Sequence, residues 1–215
     1  EGMPYGFCMS STNTDRRLLS SSTLASACDE GEDVATWAMG NAAWNAGNHT
    51  NTNFPWDEDC RFYLRNHTMR VANLILKRIH EVPFDEGDPD FNKRTTGEAY
   101  FMRAMLLWEG VYRYGGMPIV RDVIDPTDFS QRPRNSFSDC IDSILIDCDR
   151  ATQYLPDYYT DNAKLGRATR IAALALKARV LLYAASPLFN TSTPYMSFPG
   201  HENLIGYGNY DRERW

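Results

Sequence analysis

The chain has 215 residues with 28 acidic against 22 basic side chains, a formal charge of −6, and so lacks the basic footprint that phosphate neutralisation requires. Its 43% hydrophobic content supports a sizeable core in one domain, two at most, while the mean hydropathy of −0.48 goes with apolar runs too short to span a membrane. The four His and five Cys show no HExxH or CxxC spacing, so neither a metal centre nor a full disulfide framework is expected.

The first residues, EGMPYGFCMS, carry no basic segment, apolar core or cleavage motif of a targeting sequence. Residues 29–56 read DEGEDVATWAMGNAAWNAGNHTNTNFPW. In a helix, Trp37, Asn41, Trp44 and Asn48 follow an i, i+4, i+7, i+11 spacing and share one face, with Asn45 beside Trp44. Rings and amides alternate on that face, either as core anchors or as a displayed recognition surface. Just before it, Asp29 and Glu30, next to Glu32 and Asp33, suit hydroxyl hydrogen bonds, a cation, or simply a helix N-terminus.

After Pro55, four helical segments are predicted. Arg61–Glu81 has a helical apolar spacing and runs into the loop VPFDEGDPDFNKR, whose acidic residues lack EF-hand spacing and read as a solvated connector. The second segment begins TTGEAYF, where Thr95 and Glu98 have capping-box spacing, and stops at Gly115-Gly116. MPIVRDVI follows as an extended piece. Asn135/Ser136 then cap Phe137–Tyr154, which Leu155-Pro156 ends. Cys140 and Cys148 on this helix lie about 12 Å apart along its axis, too far for a bridge of ~7 Å or less, and read as small core residues.

The fourth segment, RIAALALKARVLLYAASPLFN, is apolar around most of its circumference, starts near Thr169 and stops at Ser186-Pro187. Such a helix is expected to be enclosed by others, its alanines admitting close neighbours. Four helices joined by loops can pack as two antiparallel hairpins, the unit of α-solenoids. The pair starts, Arg61 and Phe137, stand more than twice the roughly 34-residue tetratricopeptide period apart, so any repeat is degenerate. The tail Tyr195, His201, Tyr207, Tyr210 reads equally as a contact loop or a surface excursion.

Several of these landmarks resemble, in order, those of the SusD/RagB family. They are Trp56, Tyr63, Ala72-Asn73, Gly97-Glu98-Ala99, Arg103-Ala104 and Tyr114-Gly115-Gly116-Met117-Pro118. Asp147-Cys148-Asp149-Arg150-Ala151, Leu155-Pro156, Gly166-Arg167-Ala168-Thr169 and LKARVLLYAASPLFN continue the series, and Cys28-Asp29-Glu30 looks like that family's usual Ser-Asp-Glu. The resemblance runs from Asp29 to Asn190 and is looser outside.

It implies a mainly α fold of tetratricopeptide-like stacked helical hairpins with long irregular loops. The expected divisions are an N-terminal segment, 1–53, holding the candidate contact helix; a scaffold, 54–190; and 191–215, a loop and the start of a next helix, where the family's second half is cut off. The resemblance also implies a surface-exposed outer-membrane lipoprotein that captures glycans for a SusC-like TonB-dependent β-barrel transporter. The family's leader and lipid anchor are not present in this chain; Cys8 follows no lipobox.

Under that resemblance the candidate sugar contacts are Trp37, Asn41, Trp44, Asn45 and Asn48, with Asp29 and Glu30. Pyranose C–H faces pack on aromatic planes, and vicinal hydroxyls need groups that both donate and accept, as amides do. Two alternatives remain: the same architecture taking peptides or glycopeptides, and a soluble tetratricopeptide scaffold binding a protein. Glycoside hydrolysis needs two carboxyl groups about 5–9.5 Å apart, but Glu98 is assigned to the capping box and Glu109 to a scaffold helix. No catalytic residue, metal ligand or cofactor is assigned.

Overall fold

A computed structural model describes residues 62–214 apart from 126 and 129. The chain divides into two compact units, Glu1–Thr68 and Met69–Trp215, and the interactions below lie within the second. The described residues form helices and loops without strands. The principal helices are α1 (Phe62–Arg78), α2 (Phe91–Tyr114), α3 (Phe137–Tyr154) and α4 (Arg170–Ala185), followed by a single turn, α5 (Glu202–Ile205).

Punctuation accounts for most of the helix ends. The Ser136 hydroxyl accepts from the Asp139 N–H at 3.0 Å and starts α3, and Thr169 does the same for the Ala172 N–H at 3.1 Å to start α4. Each such cap contributes on the order of 1 kcal/mol. Asn135, expected to share the α3 cap, instead accepts from the Ile119 N–H at 3.0 Å and pins the extended piece. Gly115, with φ 76°, ends α2 as its N–H closes on the Val111 carbonyl. Leu155 and Ser186 adopt extended backbone at the ends of α3 and α4.

The expected capping box is corrected. Helix α2 begins at Phe91, so Thr95 and Glu98 lie inside it. Its first turn is closed by the Arg94 N–H on the Asp90 carbonyl, 2.8 Å, and the Arg94 side chain folds back onto Asp88. No side chain caps this start; the fork of two hydrogen bonds from Arg94 to Asp88 instead ties the connector to the first turn.

Consecutive helices run antiparallel. At the N-terminal end of α2, Gly97 lies so close to Tyr154 and Leu155 at the end of α3 that a Cβ there would fall 2.8 Å from Leu155 Cγ. At the other end of α2, Gly116 lies against Asn135 and Ser136 at the start of α3. Helix α4 starts where its Arg170 N–H meets the Pro156 carbonyl beyond α3, 2.8 Å. Just past its end, Phe189 stacks on Phe137 at the start of α3, with centroids 4.5 Å apart.

The core therefore sits on α3, which buries Phe137, Ile141, Ile144 and Cys148 at helical spacing against Trp108 and Val111 of α2 and Val180 of α4. Cys140 and Cys148 are fully buried free thiols, as expected. Burial pushes the Cys148 thiol up to about 12, so it stays protonated and inert.

The expectation that α4 is enclosed is also corrected. Its small face, Ala173, Val180, Ala184 and Ala185, is buried, but Ile171 and Leu182 are 62% and 66% exposed and Leu174 and Leu181 are exposed as well. Helix α3 approaches the face where side chains are smallest, which leaves the larger ones on the opposite side. The tail divides: Tyr207 meets the Phe137 ring edge-on at 5.3 Å, whereas Tyr195 and Tyr210 are exposed. Arg212–Arg214, where a further scaffold helix was expected to begin, is a 3-10 turn.

Candidate ligand-binding site

Trp37, Asn41, Trp44, Asn45, Asn48, Asp29 and Glu30 all lie outside the described residues. The described unit holds the frame and a separate recess, and both are built from charged side chains.

The frame is fastened by one buried network. Asp147 on α3 receives Nε and Nη2 of Arg103 on α2 at 2.7 and 2.6 Å, and Arg121 reaches its Oδ1 at 3.3 Å. Arg103 Nη1 also donates to Asn73 Oδ1 of α1 at 3.1 Å, and the Asn73 amide donates to the carbonyls of Val120 and Asp122. Four elements, α1, α2, α3 and the extended piece, thus meet at one carboxylate.

The other scaffold carboxylates are engaged too. Glu98 takes a two-pronged contact from Arg167, 2.6 and 2.8 Å, and Glu109, buried on α2, pairs with Arg113 and accepts from Tyr112 Oη at 3.2 Å. Among the described residues no group of three or more His, Cys, Asp or Glu could hold a metal ion. No described helix is long and apolar enough to cross a membrane.

The recess lies between the α1–α2 connector with the first turn of α2 and the loop joining α3 to α4. It encloses about 270 Å³ and includes Asp88, Lys93, Arg94, Tyr158, Thr160 and Lys164 in its lining. Asp88 holds its two sides together: it accepts from Arg94 at 2.6 and 3.0 Å and from Lys164 at 3.2 Å. Those contacts, Arg94 first, hold the Asp88 carboxyl well below the usual carboxylate range. The α3–α4 loop is fixed independently by Tyr159, whose hydroxyl donates to the Ala168 carbonyl at 3.0 Å. The connector is solvated, as read from sequence, and is anchored at Asp88, the one residue of 85–90 that is not fully exposed. Its DEGDPD composition gave no sign of Arg94 and Lys164, which come from elsewhere in the chain.

These features define a class: a stack of tetratricopeptide-like helical hairpins joined by long irregular loops. Within it, the chain belongs to the SusD-like family. The family model SusD-like_3, described as starch-binding and associating with the outer membrane, matches residues 12–182. A SusD-like protein from Bacteroides fragilis is 39% identical over 58% of this chain and 23% of its own, with a TM-score of 0.51. The solved structure named BT4246 is 30% identical over 81% of this chain and 30% of its own, at a TM-score of 0.66. A laminarin-binding SusD-like protein shares the fold at 24% identity and a TM-score of 0.51, over 58% of this chain and 26% of its own. The chain thus spans about a quarter to a third of these proteins' length. A comparison with curated proteins gives no match.

Proposed function

We propose that this protein binds glycans without transforming them and passes them to a SusC-like TonB-dependent β-barrel transporter at the cell surface, held there by a lipid anchor. The observation that carries the reading is the match to a family described as starch-binding and associating with the outer membrane. The span of that match, 12–182, contains the alternating Trp and Asn residues. Trp37 and Trp44 supply flat apolar faces for sugar rings, and Asn41, Asn45 and Asn48 supply amides that donate and accept. Asp29 and Glu30 add acceptors for hydroxyl protons.

Calorimetric titration with maltoheptaose and laminarihexaose tests the site. Trp44→Ala is expected to lose about 2 kcal/mol of binding, roughly thirty-fold in Kd, as for an aromatic anchor at the centre of an interface. Unchanged affinity removes Trp44 from the site. Saturable binding of an oligopeptide in place of either glycan moves the cargo to peptides within the same architecture.

A further inference from the structure

We propose that the recess between the α1–α2 connector and the α3–α4 loop is a second sugar subsite, which takes one neutral hexose unit of a glycan. Its ligand class rests on the glycan reading above, but the residues that line it are other than those of the Trp37–Asn48 stretch.

Size comes first. About 270 Å³ lies just under the ~300 Å³ at which pockets for drug-sized ligands begin, so the recess suits one small ring and not an oligomer. Charge comes second. The lining holds Asp88, Asp90 and Asp161 with Lys93, Arg94 and Lys164, acids and bases on both sides, and the formal charges cancel. Asp88 is already neutralised by Arg94 and Lys164. An anion finds no excess of positive charge, and a cation no free cluster of oxygens.

The third observation is what remains unengaged. The side chains of Asp90, Lys93, Tyr158 and Thr160 make no hydrogen bond among the described residues. Together they offer a carboxylate acceptor, an ammonium donor and two hydroxyls that do both, the set that adjacent sugar hydroxyls require. Tyr158 is 73% exposed, unusual for a ring with nothing packed over it, and provides the flat face for pyranose C–H groups.

Finally, the recess is built before any ligand arrives. Asp88 bridges both sides, Tyr159 pins the loop to Ala168, and Asp161 caps the turn Asn162–Lys164 through the Ala163 N–H at 2.9 Å. Binding therefore orders little, which is what lets a site of one ring hold at all. On a polymer already captured elsewhere, such a subsite adds by effective concentration and not by its own affinity.

The test is an NMR titration of the ¹⁵N-labelled chain with the methyl glycosides of glucose, galactose and mannose, following the amides of 157–164, 88 and 90–94. At least one glycoside is expected to shift these amides saturably in the millimolar range. Tyr158→Ala should weaken the response at least tenfold and Lys93→Ala severalfold. Absence of saturable shifts with all three sugars overturns the proposal, as does an undiminished response in Tyr158→Ala, or equal shifts produced by inorganic phosphate. If the shifts persist while maltoheptaose and laminarihexaose give no heat with the same chain, the subsite stands and the Trp44 site fails. The converse result keeps the Trp44 site and sinks this one.

Discussion

Asp147→Ala is expected to destabilise the fold by about 3–5 kcal/mol, because it leaves buried positive charge without its counter-ion. Asp147 is 2% exposed and is the acceptor for Arg103, itself buried, and for Arg121. Removing the carboxylate strands the Arg103 guanidinium among α1, α2 and α3, keeping only its bond to Asn73. Asp147→Asn should be nearly as harmful, since the amide is isosteric but uncharged and brings its own donors toward the guanidinium. The paired replacement Asp147→Leu with Arg103→Met should recover much of the loss, as apolar substitution of a whole buried ion pair is often close to neutral. Urea denaturation of the three variants measures this. A loss under 1 kcal/mol for Asp147→Ala would mean that the network does not fasten the hairpins.

Gly115→Ala carries the second large effect, and for a different reason. Gly115 has φ 76° and ψ −147°, a region in which only glycine is comfortable, and a Cβ there would lie 2.0 Å from the Leu204 carbonyl oxygen. The neighbour is backbone, and the Gly116 N–H donates to that same carbonyl at 2.6 Å, so Leu204 has no easy retreat. Conformational strain of about 1–3 kcal/mol and overpacking of similar size add, for an expected loss of roughly 3 kcal/mol or more. Gly166 is the control: its φ is 85°, but a Cβ would meet nothing within 4 Å. Gly166→Ala should therefore show the strain alone, and the difference between the two variants gives the steric part. Equal losses would show that α5 yields and does not hold the end of α2.

The four long helices among the described residues, their loops and most of their stops were legible because they depend on local chemistry. Ser136, Thr169, Gly115 and Pro187 act within a few residues of themselves, and a sequence displays that directly. The capping box misled because Thr95 and Glu98 have the right spacing, while the competing interaction, Arg94 on Asp88, depends on a connector fold that spacing does not encode. Helix α4 was legible as apolar but not as one-sided. With alanines and leucines all around, only the approach of α3 decides which half is covered.

The residues that carry the family resemblance turn out to be fasteners. Asn73, Arg103 and Asp147 share the buried network, Glu98 pairs with Arg167, and Asn190 holds the final turn through the Asp211 backbone. They were recognisable as an ordered list, but their partnerships span up to 69 positions and appear only in three dimensions. The recess was missed for the same reason. Asp88 and Lys164 are 76 positions apart in the chain, and nothing in the connector's acidic run points to its partner.

The central claim is capture without chemistry, and one titration addresses it. The intact chain is titrated calorimetrically with maltoheptaose, laminarihexaose and an oligopeptide of similar mass, and each mixture is then assayed for new reducing ends. The expected result is saturable heat with at least one glycan, none with the peptide, and glycan recovered at its original length. New reducing ends, or heat from the peptide alone, would contradict the account.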